Sequence, residues 1–123
     1  MRKRPPKLVR EWARMISFRN PNDMARFYSK NAILLATFDT LLRGKKEIYE
    51  YFVDFIDKDN MRCRILENFT LIDRDRDTKI ANGLYEFTFT ENGKPQKVIA
   101  RYTFVINSGR IITQHSSLKP ESE

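Results

Sequence analysis

From residue 62 onward the chain alternates. The stretches "RCRILENFTLI" (62–72), "IANGLYEFTFT" (80–90), "QKVIARYTFVI" (96–106) and "RIITQHSS" (110–117) are rich in β-branched and aromatic residues at a period of two. They are separated by "DRDRDTK" (73–79), "ENGKP" (91–95) and the pair Ser108-Gly109, which is turn chemistry. Long alternating runs joined by short breaks leave little choice but an antiparallel sheet. Before residue 57 the period is different. Leu8, Val9, Trp12, Ala13, Met15 and Ile16 recur at helical spacing, and "GKKEIYEYFVDFI" (44–56) sets Ile48, Tyr51, Phe52, Phe55 and Ile56 on one stripe. Between them "RNPND" (19–23) offers Asn22 or Asp23 as the cap of a second short helix, Met24–Tyr28, and "AILLATF" (32–38) reads as a strand. Helices followed by a sheet make an α+β domain with its helices on one face of the sheet.

A chain of 123 residues, 41% hydrophobic and 12% aromatic, supports one core. The expected division is a basic tail over 1–7, a single domain over 8–118 and a short tail over 119–123. Cys63 is the one cysteine, which excludes an intrachain disulfide and offers no metal-site spacing. With one histidine and no Cys/His cluster, neither a metal nor another cofactor is expected. No apolar run reaches the length of a membrane helix, and "MRKRPPKLVREW" lacks the apolar segment of a secretory signal. The expectation is a cytoplasmic protein without a membrane partner. The net charge of +7 draws on Arg2, Lys3, Arg4 and Lys7 at the start, while other basic residues interleave with acids. That pattern predicts no sequence-specific nucleic-acid binding.

The order helix, short helix, "FYSKNAILLATF", "RGKKEIYEYF", then strands ending in "ARYTFV" and "HSS" resembles the cone-shaped nuclear transport factor two-like (SnoaL-like) superfamily. Within it, the association (hub) domain of calcium/calmodulin-dependent protein kinase II and its stand-alone bacterial relatives are the most similar. The resemblance spans about Leu8 to Leu118 and implies a curved sheet and helices that enclose a pocket. It implies fold more strongly than chemistry. The general base of ketosteroid isomerase, a member of the superfamily, falls on Ala36, its phenol on Trp12 and its oxyanion-hole acid on Arg101. Alanine and indole cannot do acid/base work, so steroid-isomerase chemistry is not expected. Asp39 is the nearest carboxylate to the base position.

The hub domain carries a pocket arginine at the position of Arg101, and its pocket accepts small carboxylates. The resemblance therefore implies that Arg101 holds a small acidic ligand. Of the hub's other pocket groups, the second arginine matches Ser116 and the histidine matches Ile48. The remaining expected lining is Trp12, Phe38, Phe52, Phe55, Tyr85, Gln114 and Ser116. The neighbourhood of Arg101 depends on the last hairpin. A two-residue turn at Ser108 and Gly109 sets Arg101 opposite Ser116, puts Thr103, Ile112, Gln114 and Ser116 on the pocket face and turns His115 outward; a three-residue loop from Asn107 sets Arg101 opposite His115. The first register is the one the superfamily favours. It gives the outer face Tyr102, Phe104, Ile106 and Ile111, an apolar set with His115 beside it that a monomer would leave exposed.

Two functions fit these expectations. One is a non-enzymatic module that binds a small acidic molecule and assembles at least as a homodimer through its outer face, as hub relatives assemble into rings. The other is a SnoaL-like or isomerase-like enzyme acting on a hydrophobic carbonyl compound, with Arg101 at the developing enolate.

Overall fold

The computed structural model describes residues 2–37 and 41–120. Helix α1 (Lys7–Met15) buries Val9, Trp12 and Ala13 and runs into a 3-10 turn, Ile16–Phe18. There Arg19 turns left-handed, and its guanidinium donates to the carbonyls of Ile56 and Asp57 at 3.2 and 2.7 Å. Helix α2 is Pro21–Ala25. Its cap is Asn20, whose Oδ1 accepts from the amides of Asn22 and Asp23 at 3.0 and 3.3 Å, and not Asn22 or Asp23 themselves. Pro21 at the first helical position explains the shift, since proline starts a helix well and lacks the N–H that position leaves unbonded. The segment around Tyr28 is accordingly strand: β1 is Tyr28–Leu35. A two-residue strand, β2 (Leu42–Arg43), leads into α3 (Gly44–Phe55), which buries Ile48, Phe52 and Phe55.

The sheet half of the chain forms β3 (Asp59–Asp73), β4 (Thr78–Glu91), β5 (Lys94–Asn107) and β6 (Arg110–Leu118). The six strands lie in the order β2-β1-β6-β5-β4-β3, antiparallel except that β1 runs parallel to β6. The curved mixed sheet packs its inner face on the helices in a single aromatic-rich core. This is the expected α+β cone.

Two irregularities aim the side chains. The last hairpin has the two-residue turn at Ser108 (φ 50°) and Gly109 (φ 78°), both left-handed as a tight primed turn requires. Asn107 pairs with Arg110 and Ile106 with Ile111, but Val105 then pairs with Thr113, so Ile112 is an extra residue in the ladder. That bulge sets Arg101 opposite Ser117, not Ser116 or His115. Gln114 and Ser116 still face inward and His115 outward, while Arg101 joins His115 on the outer face. The second bulge lies in β3 between Ile65 and Glu67, opposite Tyr85 and Leu84.

The basic N-terminal segment, expected as a tail, is tied to the sheet. Arg2 and Thr70 exchange both backbone hydrogen bonds, at 3.0 and 2.7 Å, and Asn68 Nδ2 donates to the Lys3 carbonyl at 3.5 Å. Thus β3, an edge strand, has part of its open edge covered. At the other end the Lys119 amide donates to the Ile99 carbonyl at 3.0 Å.

Candidate functional site

The inner face of β4 and β6 and the facing helices enclose an aromatic pocket. Trp12 comes from α1, Tyr51, Phe52 and Phe55 from α3, Tyr85 and Phe87 from β4, and Gln114 and Ser116 from β6. Leu34, Ala36 and Thr37 close the side toward β1. The rings fill most of the space: Trp12 stacks on Tyr85 at 5.5 Å and stands edge-on to Phe104 at 5.2 Å, and Phe55 stands edge-on to Phe87 at 5.1 Å. What is left open to the centre of a water molecule is about 10 Å³, the room of a single water.

A continuous chain of neutral polar groups crosses this pocket. Trp12 Nε1 donates to the Tyr28 hydroxyl at 3.0 Å, and that hydroxyl donates to Gln114 Oε1. Gln114 Nε2 donates to the Tyr85 hydroxyl at 3.3 Å, which donates to Ser116 Oγ at 2.6 Å. Ser116 in turn shares a hydrogen bond with Thr37 Oγ1 at the rim. Among the described residues no buried side-chain nitrogen or oxygen lacks a partner, as a polar chain inside an apolar core requires. Burial pushes the Tyr28 and Tyr85 phenols well above the ordinary range, and the hydrogen bonds with Trp12 and with Ser116 offset only part of it.

These phenols set an alkaline limit on the fold. The unfolded chain loses tyrosine protons near pH 10 while the native chain keeps them. The unfolded state then binds fewer protons, so this stability is intact below about pH 10 and is lost as pH rises beyond it. The urea midpoint is expected to fall above about pH 10, and Tyr85→Phe to make that fall shallower. A midpoint that is flat to about pH 11 would show that the phenols ionise freely inside the native protein. At neutral pH Tyr85→Phe also strips Gln114 Nε2 of its acceptor, at a cost of about 1–3 kcal/mol.

Six of the expected lining residues meet here: Trp12, Phe52, Phe55, Tyr85, Gln114 and Ser116. Phe38 and Asp39 lie outside the described residues. Arg101 does not belong to the group. It is exposed on the outer face, where its Nε donates to Ser117 Oγ at 3.3 Å, because the bulge at Ile112 and the alternation of β5 turn Tyr102 and Phe104 inward in its place. The expectation that Tyr102, Phe104, Ile106 and Ile111 form an outer apolar face is likewise overturned, since all four are buried in the core. Ile112, expected inside, is exposed, and Thr103 faces outward, donating to Asn82 Oδ1 at 2.9 Å. Ala36 does line the pocket, and Ile48 is buried in the core beside it. The residues missed were Tyr28, Tyr51 and Thr37, with Leu34 and Phe87 on the apolar side of the lining. Tyr28 had a usable signal, since a buried tyrosine needs a hydroxyl partner, but its partner Gln114 is 86 positions away.

Solved structures place this architecture. A Xanthomonas campestris protein assigned as a calcium/calmodulin dependent protein kinase II association domain matches with a TM-score of 0.84 and 34% identity, over 94% of this chain and 85% of its own. The chain belongs to the association-domain family of the nuclear transport factor two-like superfamily. The association-domain cone is shared more widely at low identity. A nuclear transport factor two-like protein with a cystatin-like fold from Novosphingobium aromaticivorans matches with a TM-score of 0.78 at 10% identity, over 94% of this chain and 80% of its own. A superfamily protein from Salmonella enterica matches with a TM-score of 0.77 at 16% identity, over 95% and 89%. These two show the fold alone. No family model and no curated protein matches the chain. For this association-domain protein, no helix among the described residues is long and apolar enough to cross a membrane.

Proposed function

We propose that this association-domain protein is a non-catalytic assembly module that joins further copies of itself through the outer face of its sheet. The observation that carries the reading is an apolar band on that face. Strand register lines up Leu71, Ile80, Val105, Thr113 and Ile33 in one cross-strand row, and Phe69, Asn82, Thr103, His115 and Leu35 in the next. Leu71 is 52% exposed, and Ile33, Leu35 and Phe69 each more than 40%. The exposed pairs Ile33/Leu35 and Phe69/Leu71 stand at the two ends of these rows, on β1 and β3, with Ile80 and Val105 between them; apolar side chains repeated along one sheet face mark an interaction surface suited to an isologous dimer. His115 belongs to this band; Tyr102 and Phe104 do not.

The pocket has a lesser part in the reading. Its described lining offers hydroxyls, an amide and aromatic rings but no carboxylate, imidazole or cation, so the proposed occupant is a water or a comparably small neutral molecule and not an acid. An enolising enzyme would need a general base there, and the described lining provides none.

The test is mass in solution. Light scattering is expected to give a multiple of the 14.7 kDa chain, and Phe69→Lys with Leu71→Lys to give single chains of unchanged helix and strand content. Burying four unpaired ammonium groups across a symmetric interface should weaken association at least about 100-fold. A wild type that stays at one chain at high concentration, or a double variant that keeps the wild-type mass, would overturn the reading.

A further inference from the structure

The charge of this protein is not spread over it. Residues 1–30 hold nine of the 23 basic side chains and two of the 16 acidic ones, a net of +7 that equals the charge of the whole chain. The remaining residues balance. All nine basic side chains, Arg2 to Lys30, are exposed, and the two acids are already engaged, Glu11 with Lys7 at 3.8 Å and Asp23 with Arg26 at 3.5 Å. Arg19 is held by Asp57 at 3.5 Å. Among the described residues Arg2, Lys3, Arg4, Arg10 and Arg14 have no carboxylate within ion-pair distance.

The fold arranges these cations as a ridge. Helix α1 buries Val9, Trp12 and Ala13, so Lys7, Arg10 and Arg14, at spacings of three and four, share the opposite, solvent side. A surface groove of about 390 Å³ runs on one flank between α1 and β3, bordered by Lys3, Arg10, Arg14 and Arg64. Of these, Arg64 is paired with Glu86 at 3.5 Å, and among the described residues Glu67 is the one acid on the border. A second groove of about 710 Å³ on the other flank adds Lys45 and Arg110. The backbone exchange of Arg2 with Thr70 holds the "RKR" segment beside the first groove, so its charges are prepositioned and cost less entropy to use.

We infer that the α1 ridge and its flanking grooves form a docking surface for the phosphodiester backbone of a nucleic-acid duplex, bound without regard to sequence. A duplex presents one negative charge per ~1.7 Å of its axis, while the helix carries Lys7, Arg10 and Arg14 over about 10 Å. Six of the nine cations are arginines, whose planar fork matches phosphate oxygens in pairs. A membrane surface fits less well, because the apolar face of α1 is already buried in the core and cannot insert among lipids. The ridge lies on the helix side of the sheet, so its use is independent of the outer-face assembly.

The experiment is fluorescence anisotropy of a labelled duplex of about 20 base pairs with the full chain, at about 50 and 200 mM salt. Binding is expected at the lower salt and a loss of at least about 60-fold at the higher, a log-log slope of three or more. Arg10→Glu with Arg14→Glu is expected to lower affinity at least about 10-fold and flatten the slope by about two. Lys94→Glu with Lys119→Glu, the same charge change at exposed positions that border neither groove, is expected to change it less than about 2-fold. Circular dichroism confirms that both variants are folded. No binding at low salt, equal losses in the two variants, or polyglutamate bound as tightly and with the same slope would each overturn the inference.

Discussion

Phe104→Lys is expected to leave no folded protein. Phe104 is completely buried on the inner face of β5, with its ring against Trp12 and Tyr102 and its neighbours on the flanking strands Ala81 and Gln114. Truncating a buried phenylalanine costs about 3–5 kcal/mol, and an ammonium group placed among aromatic rings with no carboxylate in reach adds a further desolvation penalty. The total is comparable to the 5–15 kcal/mol that holds a domain of this kind together. The variant should be insoluble or lack dispersed amide signals by NMR, while Phe104→Leu stays folded at a cost of about 1–2 kcal/mol. A soluble, native-like Phe104→Lys monomer would mean that the side chain faces out and that the inner and outer faces of β5 are exchanged.

That exchange separates what could be read in the sequence from what could not. The alternation of β5 divides Tyr102, Phe104 and Ile106 from Arg101, Thr103 and Val105, and burial of the more apolar set was the simpler reading of those six residues. The family analogy for Arg101 pointed the other way. A two-residue turn at Ser108-Gly109 was legible because glycine and a left-handed partner announce it, yet the bulge at Ile112 carries no local mark: isoleucine fits a regular strand equally well. One unmarked residue therefore moved Arg101 from a pocket to a surface. The helices were more legible, since Trp12, Phe52 and Phe55 sit on stripes that only a core can use, and with Tyr51 they supply four of the eleven pocket-lining residues. The Asn20 cap was also within reach through the Pro21 that follows it. The parallel pairing of β1 with β6, and with it the link from Tyr28 to Gln114, joins segments too distant for any local pattern to report.

Gly83→Ala is the second large effect, and its cause lies in the backbone. Gly83 sits in β4 between Asn68 of β3 and Tyr102 of β5, beside the β3 bulge. A methyl group there would stand 2.0 Å from the Glu67 carbonyl oxygen and 2.8 Å from its carbon, both main-chain atoms that no rotamer change can move. It would also stand 2.8 Å from the Tyr102 hydroxyl, which reaches across the glycine to donate to Asn68 Oδ1 at 2.6 Å. Relief requires β3 to separate from β4 at the bulge. That movement also loosens the Asn68 side chain, which joins Thr70 Oγ1 at 2.8 Å and the Lys3 carbonyl of the N-terminal segment. Overpacking of this kind costs about 1–3 kcal/mol and a broken buried hydrogen bond about 1–3 more, so a loss of roughly 3–5 kcal/mol in urea unfolding is expected. Tyr102→Phe in the same chain should recover little of it, because removing the hydroxyl leaves the clash with Glu67 in place. Full recovery would assign the strain to the side chain and not to the approach of the strands. If the backbone is the cause, hydrogen exchange in Gly83→Ala should accelerate at Thr70, where the N-terminal segment is anchored, before it accelerates in the β5–β6 ladder.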